Sequence, residues 1–213
     1  MPVSPSTTYD AAMTDVTSSA DGVRDRILDA ATQCLLESGL DARLHAAIAE
    51  RAGLSRPTLY KYVGDQTAIL DAVRDREIEA FFTAAVPLLS STDDLRTGLV
   101  DAVVFVVGYG RRHTLLQKAL REHPELILPA LTTESCPLVD RIHGMFADQL
   151  ERALADVGAV LDTRVVIDWV YRITVSLLTT PSGPRTDSSV QLRDYIDGLV
   201  QLSGLVAAAP VRR

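Results

Sequence analysis

Residues 48–70 read I-A-E-R-A-G-L-S-R-P-T-L-Y-K-Y-V-G-D-Q-T-A-I-L and constrain the fold more than any other stretch. Gly53 supplies the backbone freedom that a tight turn between two short helices needs. Ser55 is a good N-cap, and Pro57 falls in the first turn of the second helix, where a missing N–H costs little. Gly64 ends that helix. The pattern therefore predicts a helix-turn-helix unit with its recognition helix second.

The predicted recognition helix has an inner face, formed by Leu59 and Val63, and a polar outer face. Side chains on the outer face can donate hydrogen bonds to guanine, reach phosphates or contact a thymine methyl group. The predicted DNA-binding residues are Arg43, Ser55, Arg56, Pro57, Thr58, Tyr60, Lys61 and Tyr62. The alternative is that Tyr60 is half-buried against the first helix and that the charged side chains are merely solvated.

The net charge of −7 opposes non-specific DNA binding, which depends on phosphate neutralisation. Residues 21–66 carry six basic and seven acidic side chains, a net of −1. A DNA-binding face therefore requires that the charges be placed unevenly. Arg56 and Lys61 lie on the recognition helix and Arg43 just before the second helix, whereas the acidic residues of the first helix can point elsewhere.

The segments S-R-P-T-L-Y-K-Y, I-A-E-R-A-G-L and E-S-G-L-D-A lie within residues 24–70, which resemble the TetR family of bacterial transcriptional regulators. The resemblance implies a ligand-responsive regulator, a repressor of its operator, whose helical C-terminal domain binds an effector and dimerises. The family usually has Thr or Ser at the start of its second helix and a Lys that opens its fourth; Arg43, Leu44 and Gln66 stand there in this chain. The alternative is a TetR-like protein that has lost operator binding and acts as a ligand- or protein-binding module.

Apolar periodicity predicts an all-α chain. A flexible arm is assigned to residues 1–20, the helix-turn-helix domain to 21–66, and a helical effector-binding and dimerisation domain to 67–208. The β-branched run at 95–109 could form a strand, but its length and context favour a buried helix. Other helices are expected at 21–39, 43–52, 55–63, 66–82, 114–122, 138–157, 162–179 and 189–208, with a break at 87–94, a cap at Asp93 and Cys136 in a loop.

The DNA hypothesis requires a dimer, because one recognition helix reads only a few base pairs. Useful specificity needs two half-sites of a palindrome about 34–36 Å apart, or a multiple of that distance. The last two helices are the expected interface across a two-fold axis. The alternative is that their apolar faces belong to the core of one chain.

The resemblance also implies an effector pocket in the middle bundle. The candidate apolar lining residues are Phe81, Phe82, Phe105, Tyr109, Met145, Phe146, Trp169 and Ile173, and a polar end of the ligand could meet His113, His143 or Arg172. Each of the apolar residues could equally be ordinary core. The segment H-T-L-L-Q-K-A-L-R-E-H-P-E-L-I-L-P resembles stretches in actinobacterial TetR-type regulators of lipid metabolism, which favours an acyl or other lipid-like effector.

The sequence offers no motif for catalysis, for a metal or for another cofactor. Two cysteines cannot build a disulfide framework or a full metal site, and Cys34 is expected to be a small buried hydrophobe. His45 is expected in a partly buried position. The first twenty residues lack the basic and apolar regions of a signal peptide, and no apolar run is long enough to span a membrane, so a cytoplasmic location is expected.

Overall fold

The computed structural model describes residues 8–39, 44–90, 94–180, 183 and 186–202, with the side chains of the first helix from Gly22 onward. Every regular element in these ranges is an α-helix, so the all-α prediction is confirmed. The helices are α1 (Thr8–Ser38), α2 (Leu44–Arg51), α3 (Arg56–Val63), α4 (Gln66–Leu89), α5 (Leu95–Arg112), α6 (Thr114–Glu122), α7 (Pro124–Leu131), α8 (Cys136–Asp156), α9 (Thr163–Thr179) and α10 (Ser189–Leu202). None of these described helices is long and apolar enough to cross a bilayer.

The chain divides into two compact units, Met1–Ala80 and Phe81–Arg213. In the first unit α1, α2 and α3 pack against one another. The side chains that fill its core are aliphatic or small: Ile27, Leu28, Ala31, Cys34, Leu35, Leu44, Ile48, Ala49, Leu59, Val63, Ile69 and Val73. The predicted burial of Cys34 is confirmed, since its side chain is 3% exposed.

The first helix begins at Thr8 and not at Asp21, so the assignment of residues 8–20 to a flexible arm is corrected. This stretch contains neither Gly nor Pro and includes several Ala residues and a Met, which are good helix formers. Nothing within it therefore interrupts the helix. Residues 1–7 lie outside the described part of the chain.

The second unit is organised around α5, which packs against α6, α8, α9 and α10. The run at 95–109 is thus a helix and not a strand, as its length and context predict. One side of α10 and the apolar side of α5 supply most of the core. Its buried members are Leu95, Leu99, Val100, Val103, Val107, Ala153, Leu154, Val166, Leu192, Ile196 and Val200.

Three local predictions are corrected. The helix α4 continues through Pro87 to Leu89; Pro87 lies in its last turn and removes one helical N–H donor without ending the helix there. The N-cap of α5 is Asp94, whose Oδ2 accepts from the Thr97 amide at 2.7 Å; Asp93 lies outside the described residues. Cys136 is the exposed first residue of α8 and is not in a loop, since Pro137 suits a first helical turn.

Candidate nucleic-acid interface and aromatic row

The helix α3 starts and ends on local signals in the sequence. Ser55 has an extended backbone, and its Oγ accepts from the Thr58 amide at 3.3 Å, while the hydroxyls of the two residues lie 2.7 Å apart. Gly53 and Gly64 have φ of +67° and +79°, a region that side chains with a Cβ rarely adopt. Pro57 lies in the first turn. Both ends of the short helix are therefore fixed by residues next to it in sequence.

The outer face of α3 is open to solvent. Leu59 and Val63 are buried at 0% and 6% exposure, whereas Tyr60 is 55% exposed. Arg56 and Lys61 are also exposed, and Tyr62 is half-buried. The structure thus brings the recognition-helix candidates onto one accessible surface. Of the other predicted DNA contacts, Arg43 lies outside the described residues.

His45 contacts the recognition helix from α2. Its ring stacks on that of Tyr60, with centroids 5.0 Å apart and an angle of 16° between the planes. Its Nε2 lies 3.4 Å from the carbonyl oxygen of Gly64, just past the end of α3. The expected half-buried position of His45 is confirmed, and the structure adds a contact with an exposed tyrosine that the sequence pattern does not indicate.

Arg24 contacts the same end of α3 from α1. One guanidinium nitrogen donates to the carbonyl oxygen of Tyr62 at 3.3 Å, and the side chain is exposed. The sequence analysis does not select Arg24 as a site residue, because it lies 38 positions from Tyr62 along the chain. Only its position on a helix preceding the helix-turn-helix could have suggested it.

Ion pairs neutralise three arginines of the first unit that lie off the recognition helix. Arg51 pairs with Glu37, Arg76 with Asp29, and Arg74 with Asp71, each at 2.8 Å. The hydrogen bond that Arg51 donates to Glu37 raises the pKa of Arg51 above its usual value. The cations without a carboxylate partner among the described residues of this unit are Arg24, Arg26, Arg56 and Lys61. Although the net charge of residues 21–66 is only −1, positive charge without a carboxylate partner among the described residues therefore lies at α3.

Five of the predicted effector-binding residues form a continuous group of rings, here called the aromatic row: Phe81, Phe82, Phe105, Tyr109 and His113. Neighbouring ring centroids within it lie between 5.2 Å and 6.2 Å apart. At one end the guanidinium of Arg141 lies over the ring of Phe82 at 4.2 Å. Sequence reasoning did not select Arg141, because its contact with Phe82 depends on the packing of α8.

The other predicted effector residues have different surroundings. Trp169 and Ile173 pack against the core of the second unit, and Met145 is 44% exposed. His143 Nε2 lies 3.1 Å from the Thr163 hydroxyl. Arg172 is exposed and donates to Asp168 at 2.6 Å, a contact that raises the pKa of Arg172. Phe146, the last of the set, is half-buried on α8.

An open depression of about 560 Å³ lies where α8 ends and α9 begins. It is lined by Glu151, Leu154, Ala155, Gly158, Ala159, Val160, Leu161 and Asp162, none of which is a predicted effector residue. Among the described residues, no group of three His, Cys, Asp or Glu side chains could hold a metal ion.

A three-helix unit with an exposed, capped recognition helix, followed by a helical bundle, defines a class of helix-turn-helix transcriptional regulators. Two family models match the chain: "Bacterial regulatory proteins, tetR family" over residues 27–73 and "Bacterial Tetracyclin repressor, C-terminal domain" over residues 94–196. The chain belongs to the TetR family. Members of this family are transcription factors and not enzymes.

Relatives and solved structures agree with this placement. An HTH-type transcriptional regulator of Mycobacterium bovis is 37% identical over 101 residues, which cover 47% of this chain and 50% of the relative. The class D tetracycline repressor of Escherichia coli is 38% identical over 50 residues, 24% of this chain and 23% of the repressor. The chain thus spans about half the length, or less, of the curated relatives it matches.

Two solved structures share the fold. The TetR family repressor AlkX from Dietzia, implicated in biodegradation of n-alkanes, has a TM-score of 0.58 at 21% identity, covering 84% of this chain and 94% of AlkX. AibR, crystallised with isovaleryl coenzyme A and operator DNA, has a TM-score of 0.55 at 13% identity, covering 83% of this chain and 97% of AibR.

Proposed function

We propose that this chain is a ligand-responsive repressor that binds a palindromic operator as a homodimer and is released by a small apolar effector. The observation that carries the proposal is the surface of α3, where Tyr60, Lys61 and Arg56 are exposed on a helix fixed at both ends. Arg56 and Lys61 face solvent, whereas Arg51, Arg74 and Arg76 of the same unit are held in ion pairs. Such a protein acts in the cytoplasm, where the chromosome is.

Lys61→Ala is the direct test of the DNA face. DNA fragments are selected by the purified protein from a random pool, and binding is then measured by gel shift. Loss of a direct contact at each half-site is expected to abolish the specific shift while leaving the helical circular dichroism unchanged. Arg152→Ala is the matched control, because Arg152 is an exposed cation on α8. Retained specific binding by Lys61→Ala would contradict the assignment.

The salt dependence of binding separates this proposal from the alternative, a TetR-like module without an operator. A protein that neutralises several phosphates releases counterions from the DNA when it binds. Added salt opposes that release, so affinity falls steeply as salt rises. The proposed repressor therefore shows a steep fall of affinity between 50 and 200 mM salt, as expected for about six or more phosphate contacts. A flat dependence with no selected sequence would favour the ligand- or protein-binding module.

For the dimer interface we propose the outward faces of α9 and α10. On α10 the residues Leu192, Ile196 and Val200 are buried in the chain's own core, so part of its apolar surface is core. Tyr195 and Leu202 lie on a second stripe and are 40% and 84% exposed. Two apolar stripes on one helix are what a helix between its own core and a partner copy requires.

For the effector site we propose the aromatic row, which offers apolar ring surface with His113 at one end and Arg141 near the other. An acyl or other lipid-like effector would bind by separating rings that touch in this structure. AibR, which shares the fold, binds isovaleryl coenzyme A, so short acyl coenzyme A esters belong in the test panel beside fatty acids. Thermal stabilisation by these compounds is expected, and stabilisation by highly polar compounds alone would contradict the proposal.

Release follows if the effector binds a conformation that the operator does not. The helix α4 contributes residues to both compact units, and we place the coupling in it. Because coupling free energies are reciprocal, DNA must weaken effector binding by the same factor by which the effector weakens DNA binding.

A further inference from the structure

The C-terminal end of α3 carries a cation from another helix. The last carbonyl groups of any α-helix lack partners within the helix. In α3 the Tyr60 carbonyl accepts from the Gly64 amide, and the Tyr62 carbonyl accepts from Arg24 at 3.3 Å. Arg24 has five N–H donors in a planar fork, so this bond leaves most of them available.

Among the described residues no carboxylate compensates the charge of Arg24. The side chain is exposed, and no carboxylate of the described residues forms an ion pair with it. Arg51, Arg74 and Arg76, by contrast, are paired with acidic residues of the same unit. Arg24 is therefore a guanidinium without a carboxylate partner among the described residues, held against the backbone of the recognition helix next to the half-buried Tyr62.

We propose that Arg24 binds a phosphate of the DNA backbone where the duplex passes the C-terminal end of α3. The inference rests on the proposed DNA-binding function. A guanidinium that donates one hydrogen bond to the helix and the others to a phosphate would fix the helix relative to the DNA backbone. Such a contact positions the protein on the duplex and carries no sequence information, so Arg24 strengthens binding to every sequence alike.

The test measures affinity by fluorescence anisotropy at several salt concentrations, with a duplex selected by the wild-type protein and an unrelated duplex of equal length. Arg24→Gln keeps an N–H donor for the Tyr62 carbonyl but removes the charge, and Arg24→Lys keeps the charge. For a dimer, Arg24→Gln is expected to lower the slope of log affinity against log salt by about 1.8, at about 0.9 per phosphate contact. Its affinity for both duplexes falls roughly tenfold or more, and Arg24→Lys retains most of the slope.

Arg26→Ala is the matched control. Arg26 is an exposed cation without an ion pair among the described residues. It follows Arg24 by two positions, so it lies on the opposite side of α1 from Arg24. The slope of log affinity against log salt for Arg26→Ala is expected to stay at the wild-type value. A wild-type slope for Arg24→Gln, or an equal loss for Arg26→Ala, would overturn the inference, since Arg24 would then only cap α3 or act through general charge. A flat slope of log affinity against log salt for the wild-type protein would overturn the proposed function itself. That result is read from the wild type alone, so it is distinct from any outcome of the variants.

Discussion

At the scale of single residues, His45 of α2 contacts the recognition helix at two points. Its ring stacks on Tyr60 and its Nε2 reaches the Gly64 carbonyl, so it fixes both an exposed side chain and the end of the helix. A free Tyr60 side chain would have to be ordered when it meets DNA, which costs conformational entropy. The stacked ring is ordered beforehand.

His45→Ala is expected to lower operator affinity by between about twofold and tenfold, the range that corresponds to an aromatic pair worth about 0.5–1.5 kcal/mol. His45→Phe keeps the stack and should recover most of the loss. Fluorescence anisotropy with the selected duplex measures the effect, and a thermal melt checks the fold. His123→Ala, which removes a histidine of the second unit, serves as control. Equal affinity of the Ala and Phe variants would show that stacking contributes nothing.

At the scale of secondary-structure elements, α10 is held on α5 by apolar packing and by charge. Arg96 donates to both carboxylate oxygens of Asp197, and Arg193 donates to Asp101. The hydrogen bonds from Arg96 hold the pKa of Asp197 below its usual value of 3.8. These pairs fix how α10 is rotated about its axis, and hence which of its stripes faces solvent.

Asp197→Asn is expected to lower the melting temperature at neutral pH by removing the charged partner of Arg96. A carboxylate whose pKa is depressed in the folded state stabilises the fold above its unfolded pKa, and that contribution is lost as pH falls through the folded value. The difference between variant and wild type should therefore shrink below about pH 4, as melts across the acid range would show. Asp194→Asn, at an exposed position on the same helix, should leave the melting temperature unchanged. A difference that persists into acid would rule out the ion pair as its source.

At the scale of the whole molecule, the proposed function depends on two copies of the chain. Tyr195→Glu places a charge on the exposed stripe of α10 and is expected to give a monomer by light scattering at micromolar concentration, where the wild type is a dimer. Specific operator binding is expected to be lost together with dimerisation, because one recognition helix reads too few base pairs. Val160→Glu is the matched control, since Val160 is 99% exposed on the loop before α9. A wild-type monomer that still binds the selected duplex would contradict the dimer.

Much of the fold could be predicted because its signals are local. Ser55, Pro57 and Gly64 fix the bounds of α3 within one or two residues, Gly158 follows the end of α8, and Asp162 caps the start of α9. Two of the errors occurred where local signals compete. Neighbouring aspartates at 93 and 94 could each cap α5, and Pro87 could end α4 or lie in its last turn.

The candidate site was only partly predictable. The outward residues of α3 follow from helical periodicity, since Leu59 and Val63 identify the buried side. Arg24, His45 and Arg141 gain their significance from rings or carbonyl groups on other helices. The spacing of residues in the sequence does not predict those contacts. The predicted effector residues likewise share composition and periodicity, yet only five of them form the aromatic row.

By itself the sequence determined an all-helical chain with a capped recognition helix, because caps and helical faces depend on residues within about one turn of each other. Tertiary structure alone decided which cations remain unpaired, which rings touch and which stripe of α10 stays exposed. Arg96 and Asp197 lie 101 positions apart, and Arg24 and Tyr62 lie 38 apart. Contacts over such separations are set by how the helices pack, since packing brings together side chains that the order of the chain keeps far apart.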